Sequence, residues 1–188
     1  MFVISTSGSA EQTITKSRFI AVASYCTDER SVAAALRTLA GEHSSAHHLA
    51  YAFRVKTEQG IIQRFSDAGE PSGTAGMPIM KLIEGRKLMN VCVGVIRYYG
   101  GVNLGTGGLA RAYGGTAKLA LDVAKVIPFV EMKTIKMTID YKQVDQLTLA
   151  LGQVNGKMLD KAFNHQVDVL LSLPVDEIAG FTSRFKTF

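Results

Sequence analysis

Cysteine is scarce in this 188-residue chain: Cys26 and Cys92 are the only two. Two cannot build a disulfide framework at this size, and they point to a reducing compartment. No uncharged apolar run is long enough to span a bilayer. The start, Met1-Phe2-Val3-Ile4-Ser5, has neither the charged nor the apolar stretch of an export leader. These absences predict a cytoplasmic protein without a membrane partner. There is no Lys/Arg-rich tail, so any basic footprint must come from the folded surface. No G-x-x-x-x-G-K-[ST] occurs, which excludes a P-loop. Histidine offers no metal pair. His47 and His48 face opposite ways on a strand, and His43 and His47 would need a continuous helix that Gly41 and Ser44-Ser45 argue against. No metal and no cofactor is expected.

Apolar residues make up 47% of the chain and charged ones 20%, the balance of a globular protein with a core. The net charge of +5 favours an acidic partner such as nucleic acid. Residues 1–131 hold 14 basic and 10 acidic side chains against 7 and 6 in the remainder, so the basic excess belongs to the first domain.

Ser17 to Tyr25 reads as a strand. A helix follows, with Thr27 as its cap, Asp28 and Glu29 at its positive end, Gly41 as its stop and Val32, Ala35, Leu36 and Leu39 on one face. His48 to Val55 and Gly60 to Phe65 read as a hairpin around Thr57-Glu58-Gln59-Gly60. Residues 66–78 are a loop dense in turn formers, feeding a short helix that ends near Gly85. Val91 to Arg97 is a buried strand, with Cys92 as a small core residue.

The richest segment runs from Arg97 to Gly115 and contains seven glycines. Glycine between a strand and a helix lets backbone approach something closely or turn where a Cβ would clash. A helix over 107–125 leads out. Leu109, Ala112, Thr116, Leu119 and Val123 fall on one side of it, and Arg111, Lys118 and Lys125 line the other. Pro128 ends it and marks a domain boundary near residue 130. Beyond, Thr134 to Tyr141, a helix marked by Val144, Leu147, Leu151 and Val154, a hairpin around Asn164-His165 and a helix over 175–185 give the order β-α-β-β-α. That is a ferredoxin-like unit without its last strand, which is absent, replaced or truncated. Its open edge makes a protein partner or a homodimer a further expectation.

Several motifs together resemble the YigZ/IMPACT family. They are Lys16-Ser17-Arg18-Phe19-Ile20-Ala21, Ala46-His47-His48, the Ser66–Pro78 loop, Arg97-Tyr98-Tyr99-Gly100-Gly101 and Leu104 to Tyr113. Ala68 stands where the family usually has a second acidic residue, and Asn103 where it often has lysine. The resemblance implies an α+β protein of two domains. Residues 1–130 would be like domain IV of elongation factor G, a fold of the ribosomal small-subunit protein type. Residues 131–188 would be ferredoxin-like, similar to that factor's domain V. Eukaryotic relatives are translation regulators that bind proteins of the starvation response.

The expected function is a translation-linked role, binding RNA or the ribosome through the glycine-rich basic surface. Arg97 and Arg111 would meet phosphates, and Tyr98, Tyr99 or Tyr113 would stack on bases. Gly100, Gly101, Gly105, Gly107 and Gly108 would bare main-chain amides, with Asp67, Glu70, Ser72 and Thr74 of the 66–78 loop completing the face. An alternative is an enzyme acting on a nucleotide or phosphorylated small molecule, with Asp67 and Glu70 holding Mg²⁺. Gly105-Thr106-Gly107-Gly108-Leu109-Ala110 fits a dinucleotide-binding pattern but lacks its setting. No nucleophile–base pair is visible, so the residues lean against catalysis. A protein-interaction module of a stress response is the third alternative.

Overall fold

The computed structural model describes residues 1–57 and 59–185. It is a mixed α/β structure of two compact units, Met1–Phe129 and the chain from Val130 onward. Among the described residues no helix is long and apolar enough to cross a membrane.

The first unit is built on an antiparallel sheet of order β2-β3-β6-β4-β5. Its strands are β2 (Gly8–Ile14), β3 (Ser17–Tyr25), β4 (His48–Thr57), β5 (Gly60–Ser66) and β6 (Val91–Tyr98). The turn between β4 and β5 contains Glu58, which lies outside the described residues. β6 is central, and every residue from Val91 to Arg97 is buried because both faces are covered. Side chains alternate across a strand. Val91, Val93 and Val95 therefore join the core with helices α2 (Gly76–Gly85) and α3 (Gly105–Val123). Cys92 and Ile96 turn to the other face, towards Val32 and Leu39 of α1 (Glu29–Glu42).

Several elements differ from expectation. Asp28, not Thr27, caps α1: its carboxylate accepts the Ser31 N–H at 2.7 Å. Gly41 stays inside that helix. α3 begins two residues early and ends at Val123, so Lys125 is not on the helix and the three-cation stripe is reduced to Arg111 and Lys118. Lys125–Pro128 is a strand, β7, paired antiparallel with β1 (Phe2–Thr6). Pro128 closes that short edge strand, where a missing N–H is tolerated, and it ends no helix. The buried face of α3 includes Tyr113, Ala117 and Ala120, whereas Leu119 and Val123 are exposed. β1 and β2 precede the first expected strand. The polar run of β2, Gly-Ser-Ala-Glu-Gln-Thr-Ile, gives little apolar signal because it is an edge strand.

The second unit has a three-stranded antiparallel sheet of order β8-β10-β9. Its strands are β8 (Met132–Ile139), β9 (Lys157–Phe163) and β10 (Val167–Pro174). Helices α4 (Val144–Gln153) and α5 (Ile178–Arg184) supply Leu147, Leu151 and Phe181 to a core with Ile139, Val167, Val169 and Leu171. β8 and β9 are its two edges.

Candidate functional site

The register of the first sheet decides what surrounds Arg97. Phe19 of β3 and His48 of β4 pair directly with it, so all three side chains share one face. Ser17, two residues before Phe19, joins them. α3 lays Tyr113 across this face, its ring edge-on to Phe19 at 5.2 Å between centroids. The loop between β5 and α2 then delivers Glu70.

These residues form one network. The Glu70 carboxylate accepts from Arg97 Nη1 and from the Tyr113 hydroxyl through the same oxygen, each at 2.7 Å. The side chains of Arg97 and Glu70 are only 5% and 4% exposed, so this is a buried ion pair. Arg97 Nη2 donates to Ser17 Oγ at 3.3 Å, and the same oxygen accepts the Gly100 N–H at 3.2 Å. His48 Nε2 lies 3.8 Å from Glu70, with Nδ1 bonded to the Ala68 carbonyl at 2.9 Å. Phe19 and Tyr99 lie 5.5 and 5.1 Å from the Arg97 guanidinium, which is thus enclosed by rings. Burial, and then the bond to Glu70, push the Tyr113 phenol above the ordinary tyrosine value.

The two expected turns therefore meet, but through a sealed core. Arg97 and Tyr113 do not offer a guanidinium or a ring face to a ligand, because tertiary packing consumes both. Tyr98 is half-buried on the opposite face, with its hydroxyl 2.9 Å from His43 Nδ1. Tyr99 remains 38% exposed; its N–H donates to His47 Nδ1 at 3.2 Å, and its hydroxyl donates to Asn103 Oδ1 at 3.1 Å.

Asp67 has a different task. The N-cap of α2, Ala75, has no capping side chain. Asp67 reaches over from the loop and accepts the N–H groups of Gly73, Ala75 and Gly76 at 2.9, 2.9 and 2.8 Å. Burial works against the carboxylate, but those three donors hold its pKa below the usual aspartate value. Thr74 is buried and donates its hydroxyl to the Pro71 carbonyl at 2.6 Å; Ser72 is exposed. Asp67 and Glu70 thus serve separate protein partners, which corrects the idea that they hold Mg²⁺. Among the described residues no cluster of His, Cys, Asp or Glu is arranged to hold a metal. The antiparallel sheet also removes the parallel βαβ setting that a dinucleotide site needs.

What stays on the surface is the glycine turn. Gly100 packs against the turn after β2: a Cβ there would sit 2.0 Å from the Lys16 carbonyl oxygen. Gly101 and Gly105 have φ of +82° and +67°, the left-handed region that favours glycine. Gly105, Thr106 and Gly107 are exposed in the first turn of α3, and Leu104 before them makes no capping bond. Gly108 and Arg111 line a cavity of about 430 Å³ with Gln12, Ile14, Thr15 and Leu104. Lys16 and Ser17 were not expected at the site. The Lys16-Ser17-Arg18 run was their only signal in the sequence, and nothing local in it showed that it would abut a turn eighty residues away.

Comparison with known proteins gives the context. The Impact N-terminal domain model matches residues 15–121, which contain the whole network. The chain is 32% identical over 176 residues to the IMPACT family member YigZ of Escherichia coli, covering 93% of this chain and 86% of that protein. The chain belongs to the IMPACT family. An IMPACT family member of Thermus thermophilus is 40% identical over 143 residues, covering 76% of this chain and 72% of its own length. A crystal structure of a hypothetical protein superposes with a TM-score of 0.72 at 29% identity, covering 97% of this chain and 89% of that one.

Proposed function

We propose that this IMPACT family protein is a cytoplasmic, translation-linked regulator that binds RNA or the ribosome through the glycine turn of its first unit. One observation carries the reading. The uncapped first turn of α3 lies at the surface beside the exposed Arg111, and the chain leading into it carries the exposed ring of Tyr99 and packs at Gly100 against the exposed Lys16. Free amides at a helix start, with cations beside them, suit phosphate. An exposed ring suits an unpaired base and contributes about 1–3 kcal/mol per base. The buried Arg97–Glu70–Tyr113 network acts as the scaffold, holding the turn rather than touching the ligand. A preformed turn lowers the ordering cost of binding.

The kinship extends to the fold. The first unit is read as like domain IV of elongation factor G, and the second as a ferredoxin-like unit similar to domain V with an open edge at β8. This is fold analogy, and it supports a ribosomal partner without naming a site.

The test is binding of the full chain to single-stranded RNA and to ribosomes across salt concentrations. Binding at low salt that weakens as salt rises, and that Arg111→Glu and Lys16→Glu reduce, supports the reading. Absence of binding at low salt rules it out.

A further inference from the structure

A second concavity lies between α2 and α3, outside the buried network. Its volume is about 550 Å³. Its floor is aliphatic: Met77, Pro78 and Leu82 come from α2, and Ala110, Gly114 and Gly115 from α3. Lys81, Arg111 and Lys118 stand exposed on its walls. Neither Lys81 nor Arg111 has an ion-pair partner among the described residues. Lys118 shares Asp122 with Arg86 in an exposed arrangement, which binds it only weakly.

Gly114 and Gly115 sharpen the picture. Glycine is the least favourable residue after proline in a helix interior, yet two stand together inside the 19-residue α3. A Cβ at Gly114 would lie 3.5 Å from the Pro78 side chain, and one at Gly115 would lie 3.5 Å from the Gln12 amide nitrogen. These are ordinary contacts, so packing does not demand glycine at either position. Their backbone is not in the left-handed region either. At Gly114, which faces Pro78 of α2, the missing side chain preserves depth in the floor.

The lining selects the occupant. A groove open along its length cannot enclose a small molecule as ligand pockets do. Among the described residues no aromatic ring lines it, so it offers bases no stacking platform. An aliphatic, methionine-containing floor flanked by cations is the setting in which an amphipathic helix lays its apolar face. Arg111 and Lys118 are two turns apart on α3, roughly 10 Å along its axis. Two carboxylates seven residues apart on an incoming helix match that spacing. We propose that the α2–α3 groove docks an acidic amphipathic helix of a partner protein, with apolar anchors on the floor and carboxylates meeting Lys81, Arg111 and Lys118. This surface adjoins the glycine-turn cavity and shares Arg111 and Gly115 with it.

The experiment titrates the full chain, labelled for amide resonances, with a synthetic peptide about five helical turns long. The peptide carries leucines at helical spacing and glutamates seven apart beside them. Controls are a shuffled isomer, a counterpart with lysine in place of glutamate, and oligouridylate. The expected result is that only the acidic amphipathic peptide shifts residues 77–82 and Lys118, which line the groove and not the glycine-turn cavity. Lys81→Glu weakens it by about fivefold, as rim charges do, and improves binding of the lysine counterpart. Gly114→Leu fills the floor and blocks the peptide; if that variant misfolds, Lys81→Glu decides. Ribosome binding by Lys81→Glu stays unchanged, so failure of this proposal is distinct from failure of the glycine-turn reading. The proposal is overturned if the shuffled isomer binds equally, if oligouridylate takes the groove, if self-association of the chain covers it, or if the acidic peptide shifts nothing there.

Discussion

Glu70 is where one atom carries the most. Its carboxylate oxygen holds both Arg97 and Tyr113 inside the protein. Glu70→Gln leaves the buried guanidinium without its counter-charge and is expected to cost about 3–5 kcal/mol. Tyr113→Phe removes one bond to a charged group and is expected to cost about 1.5–3 kcal/mol. Urea denaturation of both variants checks the order. Asp67 gives a pH prediction. Its folded-state pKa is held below that of the unfolded chain, so its stabilisation is complete above about pH 4–5 and is lost as pH falls through the folded value. The difference in urea midpoint between the parent and Asp67→Asn is therefore expected to be largest at neutral pH and to shrink towards pH 3. At this scale the sequence showed cations and rings around a turn. It could not show that Arg97 points inwards, because that depends on which strands flank β6.

Helix α3 is the element where the hydrophobic period misleads. Leu119 lies at the margin of the apolar arc and is 42% exposed; Val123 is the helix's last residue and is 65% exposed. The sheet instead takes Tyr113 and the small residues Ala117 and Ala120. Leu119→Ser is thus expected to change stability by no more than about 0.5 kcal/mol, like other surface substitutions. Ala117→Leu is expected to cost about 1–3 kcal/mol by overpacking. Thermal or urea unfolding separates the two. The same closeness governs the glycine turn. Gly100→Ala drives a Cβ into the Lys16 carbonyl, so it is expected to lower stability and RNA binding together. Strand and helix positions here were largely legible, since turn formers and apolar spacing are local. The pairing of β1 with β7 was not, because its residues lie more than a hundred positions apart.

For the whole molecule, the net charge of +5 sets a general attraction to acidic partners. If the glycine turn meets phosphates, the logarithm of RNA affinity falls linearly with the logarithm of salt concentration, and Lys16→Ala flattens the slope by about 0.7–1. Filter binding over a salt series measures it. Apolar spacing and turn residues alone determined most of the strands and helices, and the ordered motifs from Lys16 to Tyr113 carried the IMPACT resemblance, because each is written in neighbouring residues. Only the tertiary structure decided that Arg97, Tyr113 and Glu70 are buried together, that Lys16 abuts the glycine turn and that α2 and α3 leave a groove between them. Burial and contact depend on which distant segments share a face, and no local pattern encodes that.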